Sequence, residues 1–451
     1  MNEIKYLSLC GMLGYGYPTD NLKKLDDYDF IGADNGSTDP GPYYLGSGKG
    51  FVKPMQIKRD LEPALITAVE KKIPLIIGSA GGSGARPHVD SFLEIVREIA
   101  VRCNLHFKMA VIYADIEKDV VVQALDEGYI SSCGNSGELS RQAIENSSHL
   151  VAQMGTEPIV EALEAGADVV IAGRCCDTAI FTAYPVIKGF DAGLALHAAK
   201  IAECGALCAS PAGANDSLTV TLSEDNFVVE PTNPSRKCTP ETVAAHSMYE
   251  QPNPNCFYEP EGKVDMNASS FVSCGDRGVK VCGTRLVPPE KETLKLEGAS
   301  LVGYRAITIA GLRDPVAIAA IDKIETGVRE KVEANLEGIV SPEEYTLNFR
   351  RYGIDAVTGS MEPMPEPLPR EVGILIEAVA PTQQLADTIV SLARSTALHQ
   401  PFEGRKTTAG NLAFPFSPSD VSCGAVYEFS VYHLMEITSQ DNLFKVNFEE
   451  F

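Results

Sequence analysis

Several stretches of the chain carry residue types that bind anions and move protons. Asp34 and Asp39, with Asn35, Ser37 and Thr38 between them, lie in Gly32-Ala-Asp-Asn-Gly-Ser-Thr-Asp-Pro-Gly-Pro42. Two carboxylates so close could hold a divalent cation such as Mg2+ or do general acid–base work. The same residues also make Asx and Pro-Gly turns unaided. A second stretch runs Ser79-Ala-Gly81-Gly82-Ser83-Gly84-Ala-Arg86-Pro-His88. Its glycines would let backbone N–H groups converge on an oxyanion, with a following helix adding its positive end. Arg86 would clamp a carboxylate or phosphate, and His88 stands at the mouth of the loop as a candidate acid or base. The Gly-Lys-Ser/Thr ending of a P-loop is missing, and a tight strand-to-helix turn would need the same glycines. Arg174 with Asp177 offers a substrate clamp beside a proton-handling carboxylate, or a structural ion pair at a strand end.

Weaker signals accompany these. Cys175 and Cys176 are adjacent and point opposite ways if extended; a nucleophile there needs a nearby base that the sequence does not place. Gly11-Met-Leu-Gly14-Tyr-Gly16 lies about 20 residues before Asp34, but its glycine order departs from the dinucleotide fingerprint and Pro18 follows at once. The polar stretch Gly404–Asp420 holds Arg405, Lys406, Asn411 and Ser417 in an otherwise acidic chain. Asn411 and Ser417 are candidate substrate contacts, and the alternative is a loop covering an interface. His433 falls on the apolar side of its strand and His246 in a short helix, both core or surface histidines by default.

These residues require elements to position them. Apolar runs at Ile4–Leu9, Tyr28–Gly32, Pro74–Gly78, Met109–Tyr113 and Asp168–Ala172 read as strands buried on both faces. Helical spacing appears at Asp60–Lys72, with Asp60 as N-cap, at His88–Cys103 and at Ala192–Cys208, and a further helix with Pro158 in its first turn ends at Gly166. The alternation predicts an α/β class, a parallel sheet with helices on both faces. Asp34, Gly78–Arg86, Asp115 and Arg174 then follow the carboxyl ends of strands, where such sheets bind ligands. From Leu218 the pattern mixes alternating strands such as Leu218–Leu222 and Tyr304–Ile309 with Pro-rich loops and a short helix around Val243–Tyr249. Asp314 caps a helix predicted over Pro315–Leu336. Four alternate prolines in 361–370 suggest a stiff linker, and strand, helix and strand follow at Val372–Val379, Thr382–His399 and Tyr427–Ile437. The expected organisation is an α/β domain over 1–215, an α+β portion over 216–340, a linker over 341–370 and a small C-terminal α+β domain over 371–451.

With 451 residues, two or three domains are expected. The 38 Lys and Arg against 61 Asp and Glu give a formal net charge of −23. That balance argues against nucleic acid and anionic membrane as partners, since both need a basic surface. No run approaches a membrane span. Met1–Lys5 reads as the start of a first strand rather than a signal segment. The 12 Cys are scattered, often in apolar segments, with no Cys-x-x-Cys. A cytoplasmic homo-oligomer acting on a small anionic molecule is the expectation.

Gly166-Ala-Asp-Val-Val-Ile-Ala-Gly-Arg174 with Asp177-Thr-Ala, Glu203-Cys-Gly-Ala206 and Val243-Ala-Ala-His-x-x-Tyr-Glu250 resemble the acyclic terpene utilisation (AtuA) family. Ala409-Gly-Asn-Leu-Ala-Phe-Pro-Phe-Ser-Pro-Ser-Asp420 with Val431-Tyr-His-Leu-Met-Glu436 resembles a small companion domain found fused to or beside that family. The likeness covers most of the chain and departs at the Gly11–Gly16 loop, where members more often carry a Gly-x-Gly-Phe segment. It implies catabolism of branched or unsaturated acids or their thioesters and supplies no agreed catalytic set. The residues themselves point to a lyase (hydratase or dehydratase) or isomerase, with Ser79–Arg86 as cradle, Arg174 as clamp and Asp34, Asp39 and Asp177 moving a proton next to a carbonyl. A nucleotide-dependent enzyme using Gly11–Gly16, or a non-catalytic subunit of a degradative complex, are the alternatives.

Overall fold

The computed structural model describes residues 3–406, 408–437 and 443–451; the first two residues of the expected opening strand lie outside these. The described residues divide into two compact units, 3–300 with 429–437 and 443–451, and 301–406 with 408–428.

The first unit is built on a ten-stranded sheet. Its centre is five parallel strands: β1 (Glu3–Ser8), β2 (Phe30–Asp34), β3 (Leu75–Gly78), β4 (Lys108–Ile112) and β5 (Val169–Ala172), in the order β1-β2-β3-β5-β4. Leu218–Ser223 pairs antiparallel with β1, and Asn226–Pro231, Gly278–Cys282 and Ser270–Cys274 extend the sheet beyond it. Val446–Glu450 closes the other edge against β4. The expected boundary at 215 thus falls between strands of one sheet.

Successive residues of a strand face opposite sides, and both sides are covered. Leu7, Ile31, Ile77, Val111 and Ile171 share a core with helices α1 (Pro54–Lys71) and α2 (Arg86–Cys103). Tyr6, Phe30, Ile76, Ala110 and Val170 share the other with α3 (Asp177–Ile187) and α4 (Ala192–Ala202). This is the α/β architecture expected. Three local expectations differ. Asp60 lies inside α1 rather than at its start; its carboxylate is drawn instead to the N–H groups of Gly14 and Gly16, at 2.7 and 2.8 Å. Helix α4 stops at Ala202, six residues short, because the chain turns at Gly205 in a left-handed conformation pressed against the Asp216 carbonyl. Helix α3 escapes the sequence reading because it is buried nearly all round and shows no polar face.

The second unit packs helices Ile321–Leu336 and Gln383–His399 on strands Thr346–Tyr352, Val372–Ala380 and the later part of Thr293–Leu312. The stretch expected as a linker therefore carries a paired strand, Thr346–Tyr352. Asp314 caps Pro315–Ala319, and the helix predicted to run on to Leu336 is broken at Ala320. No helix among the described residues is long and apolar enough to cross a membrane.

Candidate functional site

The carboxyl ends of β2, β3 and β5 bring Asp34, the Ser79–Arg86 loop and Arg174 together. The Gly84 carbonyl accepts the Arg174 N–H at 3.0 Å, and Gly81 N–H donates to Asn35 Oδ1 at 2.6 Å. The backbones approach so closely that glycine is required. A Cβ on Gly36 would lie 1.7 Å from the Gly82 carbonyl oxygen, and one on Gly84 would lie 2.2 Å from the Arg174 nitrogen.

Arg174 is the pivot, with 4% of its surface exposed. Its Nε donates to Glu297 Oε2 at 2.8 Å, and Nη1 donates to Ser79 Oγ at 3.2 Å and the Cys175 carbonyl at 3.1 Å. Nη1 also stands 3.7 Å from Asp177 Oδ1. Glu297 takes a further hydrogen bond from Thr38 Oγ1 and an ion pair from Lys295 Nζ at 2.8 Å. Burial alone would raise the Glu297 carboxyl, but the Arg174 and Lys295 charges win and hold it down at about 2. Two cations and a fixed carboxylate thus form a permanent charged base to the site.

The carboxylates above that base behave oppositely. Burial, and then the charge of Asp177, push Asp34 well above the ordinary carboxylate range; Arg174 opposes this. Asp177 is likewise raised by burial against the pull of Arg174 and Lys200. Buried atoms normally find partners, yet Asp34 Oδ1, Asp177 Oδ1, Thr178 Oγ1 and His246 Nε2 are buried without a hydrogen bond. Lys200 and Glu203 form a buried pair at 2.6 Å behind them. Burial and the charge of Asp177 lift Glu203 despite Lys200. His246, stacked on Tyr249 with centroids 5.5 Å apart, is lowered to about 4 by burial and the Lys200 charge. Asp177 is partly exposed (34% of its side chain), so the cluster reaches solvent there.

A cleft of about 840 Å³ opens beside the cluster, lined by Gln153, Cys176, Glu259, Lys263, Lys295 and Leu434 among others. Burial, and then the neighbouring Glu261 charge, push Glu259 up to about 7.

Of the other expected site residues, Ser79 and Gly84 bond to Arg174. The Ser79–Arg86 loop is not an open cradle. Residues 79–85 are buried, and the N–H groups of Ser79, Ala80, Gly81 and Gly82 are bonded to Gly173, Ala172, Asn35 and Ser79. Ser83 is buried with its hydroxyl unpartnered. Arg86 turns away, its guanidinium 3.8 Å over the Tyr113 ring, while its N–H caps onto Asp115. His88 is buried, with Nε2 3.1 Å from the Tyr44 carbonyl, and burial lowers its pKa. Asp39 is exposed; it lies near enough for its charge to raise Asp177. Asn411 and Ser417 belong to the second unit. The Asn411 amide donates to the Ala397 and Gln400 carbonyls at the end of helix Gln383–His399, and Ser417 is exposed. His433 is buried in its strand as expected. The Gly14 and Gly16 N–H groups that a nucleotide phosphate would use are occupied by Asp60. Among the described residues no three His, Cys, Asp or Glu side chains are grouped to hold a metal ion.

Sequence reasoning missed Glu297, Lys295, Lys200 and Glu259, and read Glu203 and His246 without a role. Lys200 and Glu203 had a signal: two charges three apart closing an otherwise apolar helix. Glu297 had none. Leu294 and Leu296 mark the inward face of its strand, yet the outward face is buried there too.

The fold and this centre define an α/β protein with a buried arginine among carboxylates at the ends of its parallel strands. A family model described as acyclic terpene utilisation family protein AtuA matches residues 46–415, and the chain belongs to that family. The family is implicated in a catabolic role, the utilisation of acyclic terpenes. No curated protein and no solved structure matches the chain.

Proposed function

We propose that the protein is a catabolic enzyme that acts on a small carboxylic acid or acyl thioester by moving a proton next to its carbonyl, as a hydratase, dehydratase or isomerase. The observation that carries this is the pair of buried carboxyls, Asp34 and Asp177, raised above the ordinary carboxylate range beside the fixed Arg174 cation, each with an Oδ1 that has no hydrogen bond. A carboxyl raised in this way holds its proton more readily and can serve as donor as well as acceptor. Asp177, open to solvent on one side, is the exchanging group; Asp34, wholly inside, is its partner. Arg174 holds the developing negative charge of an enolate-like oxygen, and Glu297 and Lys295 keep its guanidinium in place. The family's catabolic role supports an organic acid as substrate. The reaction needs no redox step.

The test is solvent exchange. The protein is incubated in deuterated water with a panel of short, branched and unsaturated acids and their thioesters, with and without Mg2+, and followed by proton NMR. The expected result is loss of a carbon-bound proton signal next to the carbonyl, or water addition across the double bond, abolished in Asp177→Asn. Turnover unchanged in Asp177→Asn and Asp34→Asn would remove this reading.

A further inference from the structure

A second hollow, of about 390 Å³, lies within the first unit and shares Pro260 and Thr293 with the cleft at Glu259. Its walls are mostly apolar, with Val160, Val186, Leu294, Leu443 and Phe444 among them. Three carboxylates line it, those of Glu157, Glu261 and Glu292, and no lysine, arginine or histidine does. Glu261 stands in the tight turn between the paired strands Cys256–Glu259 and Gly262–Asp265. That turn presses on Gly155: a Cβ there would fall 2.8 Å from Glu261 Oε1 and 3.0 Å from Pro260 Cβ. Oε1 accepts the Thr156 N–H at 2.6 Å, at the start of helix Glu157–Glu164. The other carboxylate oxygen, Oε2, is buried with no hydrogen bond. Thr156, 5% exposed, also holds its Oγ1 buried without one.

Buried polar atoms normally find partners, and a mostly apolar hollow with a few convergent polar groups is the usual form of a small-molecule site. The charge of the lining selects the ligand. A carboxylate or phosphate would face three like charges and no cation. The partial positive charge of the helix start, about half a unit, is already met by Glu261 Oε1. An ammonium group suits the lining: it carries donors alone, which Glu261 Oε2 and Thr156 Oγ1 can both accept. A hydrocarbon chain behind it would lie on the apolar wall. From this geometry we propose that the hollow is a binding site for a small aliphatic primary amine in its ammonium form, held by Glu261 and Thr156. The site goes beyond the proton chemistry at Arg174 and uses none of the residues placed there, so either can fail alone.

The intact protein is titrated by calorimetry with hexylammonium near neutral pH, then with hexanol, hexanoate and ethylammonium at the same ionic strength. The expected result is binding of hexylammonium at one site, tighter than hexanol by on the order of 10-fold, as a hydrogen bond to a charged group contributes. Ethylammonium, with four fewer methylenes to bury, binds about 10-fold or more weakly still than hexylammonium, and hexanoate does not bind. Glu261→Gln, which keeps the side-chain shape, brings hexylammonium down to the affinity of hexanol. Asp177→Asn leaves its affinity unchanged. No binding of hexylammonium, or hexanol or hexanoate binding as tightly, would overturn the proposal. Ethylammonium binding as tightly would overturn it too, since that is general attraction of a cation to an acidic chain. Undiminished binding in Glu261→Gln, or binding lost in Asp177→Asn, would place the cation elsewhere and overturn it. The ligand series on the unaltered protein decides the matter even if a variant does not fold.

Discussion

Two loops at the same rim of the sheet, both rich in candidate chemistry, are put to opposite uses. The loop after β3 encloses its first four amides, and its arginine lies outside over Tyr113. The segment after β5 buries its arginine among Glu297, Asp177 and Ser79, and leaves Asp177 Oδ1 and Thr178 Oγ1 without hydrogen bonds. Glycine richness after β3 therefore serves close backbone packing. A polar group left unbonded inside a protein costs stability; Ser83 in the first loop is unbonded too, and what sets the segment after β5 apart is its buried arginine among raised carboxyls.

The largest expected effect separates the two arginines. Arg174→Ala takes from buried Glu297 one of its two cations, leaving Lys295 and Thr38, and should cost about 3 kcal/mol in urea unfolding, the lower end for breaking a buried pair. If the cost were below about 1 kcal/mol, Arg174 would not be the pivot described. A second effect tests the tuned carboxyls. Glu259 binds its proton more tightly folded than unfolded, so the folded state gains from acid. Stability contributed by this group falls as pH rises from about 4.5 to about 7. At about 1.4 kcal/mol per unit the loss is at most about 3.5 kcal/mol, and Glu259→Gln should remove it. An unfolding free energy whose pH slope is the same in both proteins would contradict this. Gly84→Ala, which forces a Cβ onto the Arg174 backbone, should cost about 1–3 kcal/mol while the folded fraction still binds ligand. A cost below about 0.5 kcal/mol would contradict the close approach of the two backbones. Arg86→Ala is the smallest change, below about 1 kcal/mol, the loss of one exposed contact with an aromatic ring; calorimetry of the two proteins side by side measures it.

The parallel core was legible because its strands are continuous apolar runs and their order of alternation with helices leaves few arrangements. Asp34, Arg174 and Asp177 were legible because strand-end loops are where such sheets place polar residues. What was hidden depended on distance in the chain. Glu297 reaches Arg174 from 123 residues away, and Glu259 lines the same cleft as Cys176 from a strand whose exposed Tyr258 gives no hint of a cleft behind it. The glycine loop misled because an anion cradle and a tight backbone crossing ask for the same residues. Which of the two forms is decided by the partner strand, here the carbonyls of Ala172 and Gly173.

The most direct test of the account is ligand-induced thermal stabilisation of Asp177→Asn set beside Arg86→Ala, using the panel of acids and acyl thioesters. A ligand that binds only the folded protein raises its midpoint by mass action. The account predicts that Arg86→Ala keeps the full rise given by the unaltered protein and that Asp177→Asn loses most of it. The reverse outcome, with Asp177→Asn unaffected and Arg86→Ala blind to every acid, would place the site at the other loop and contradict it.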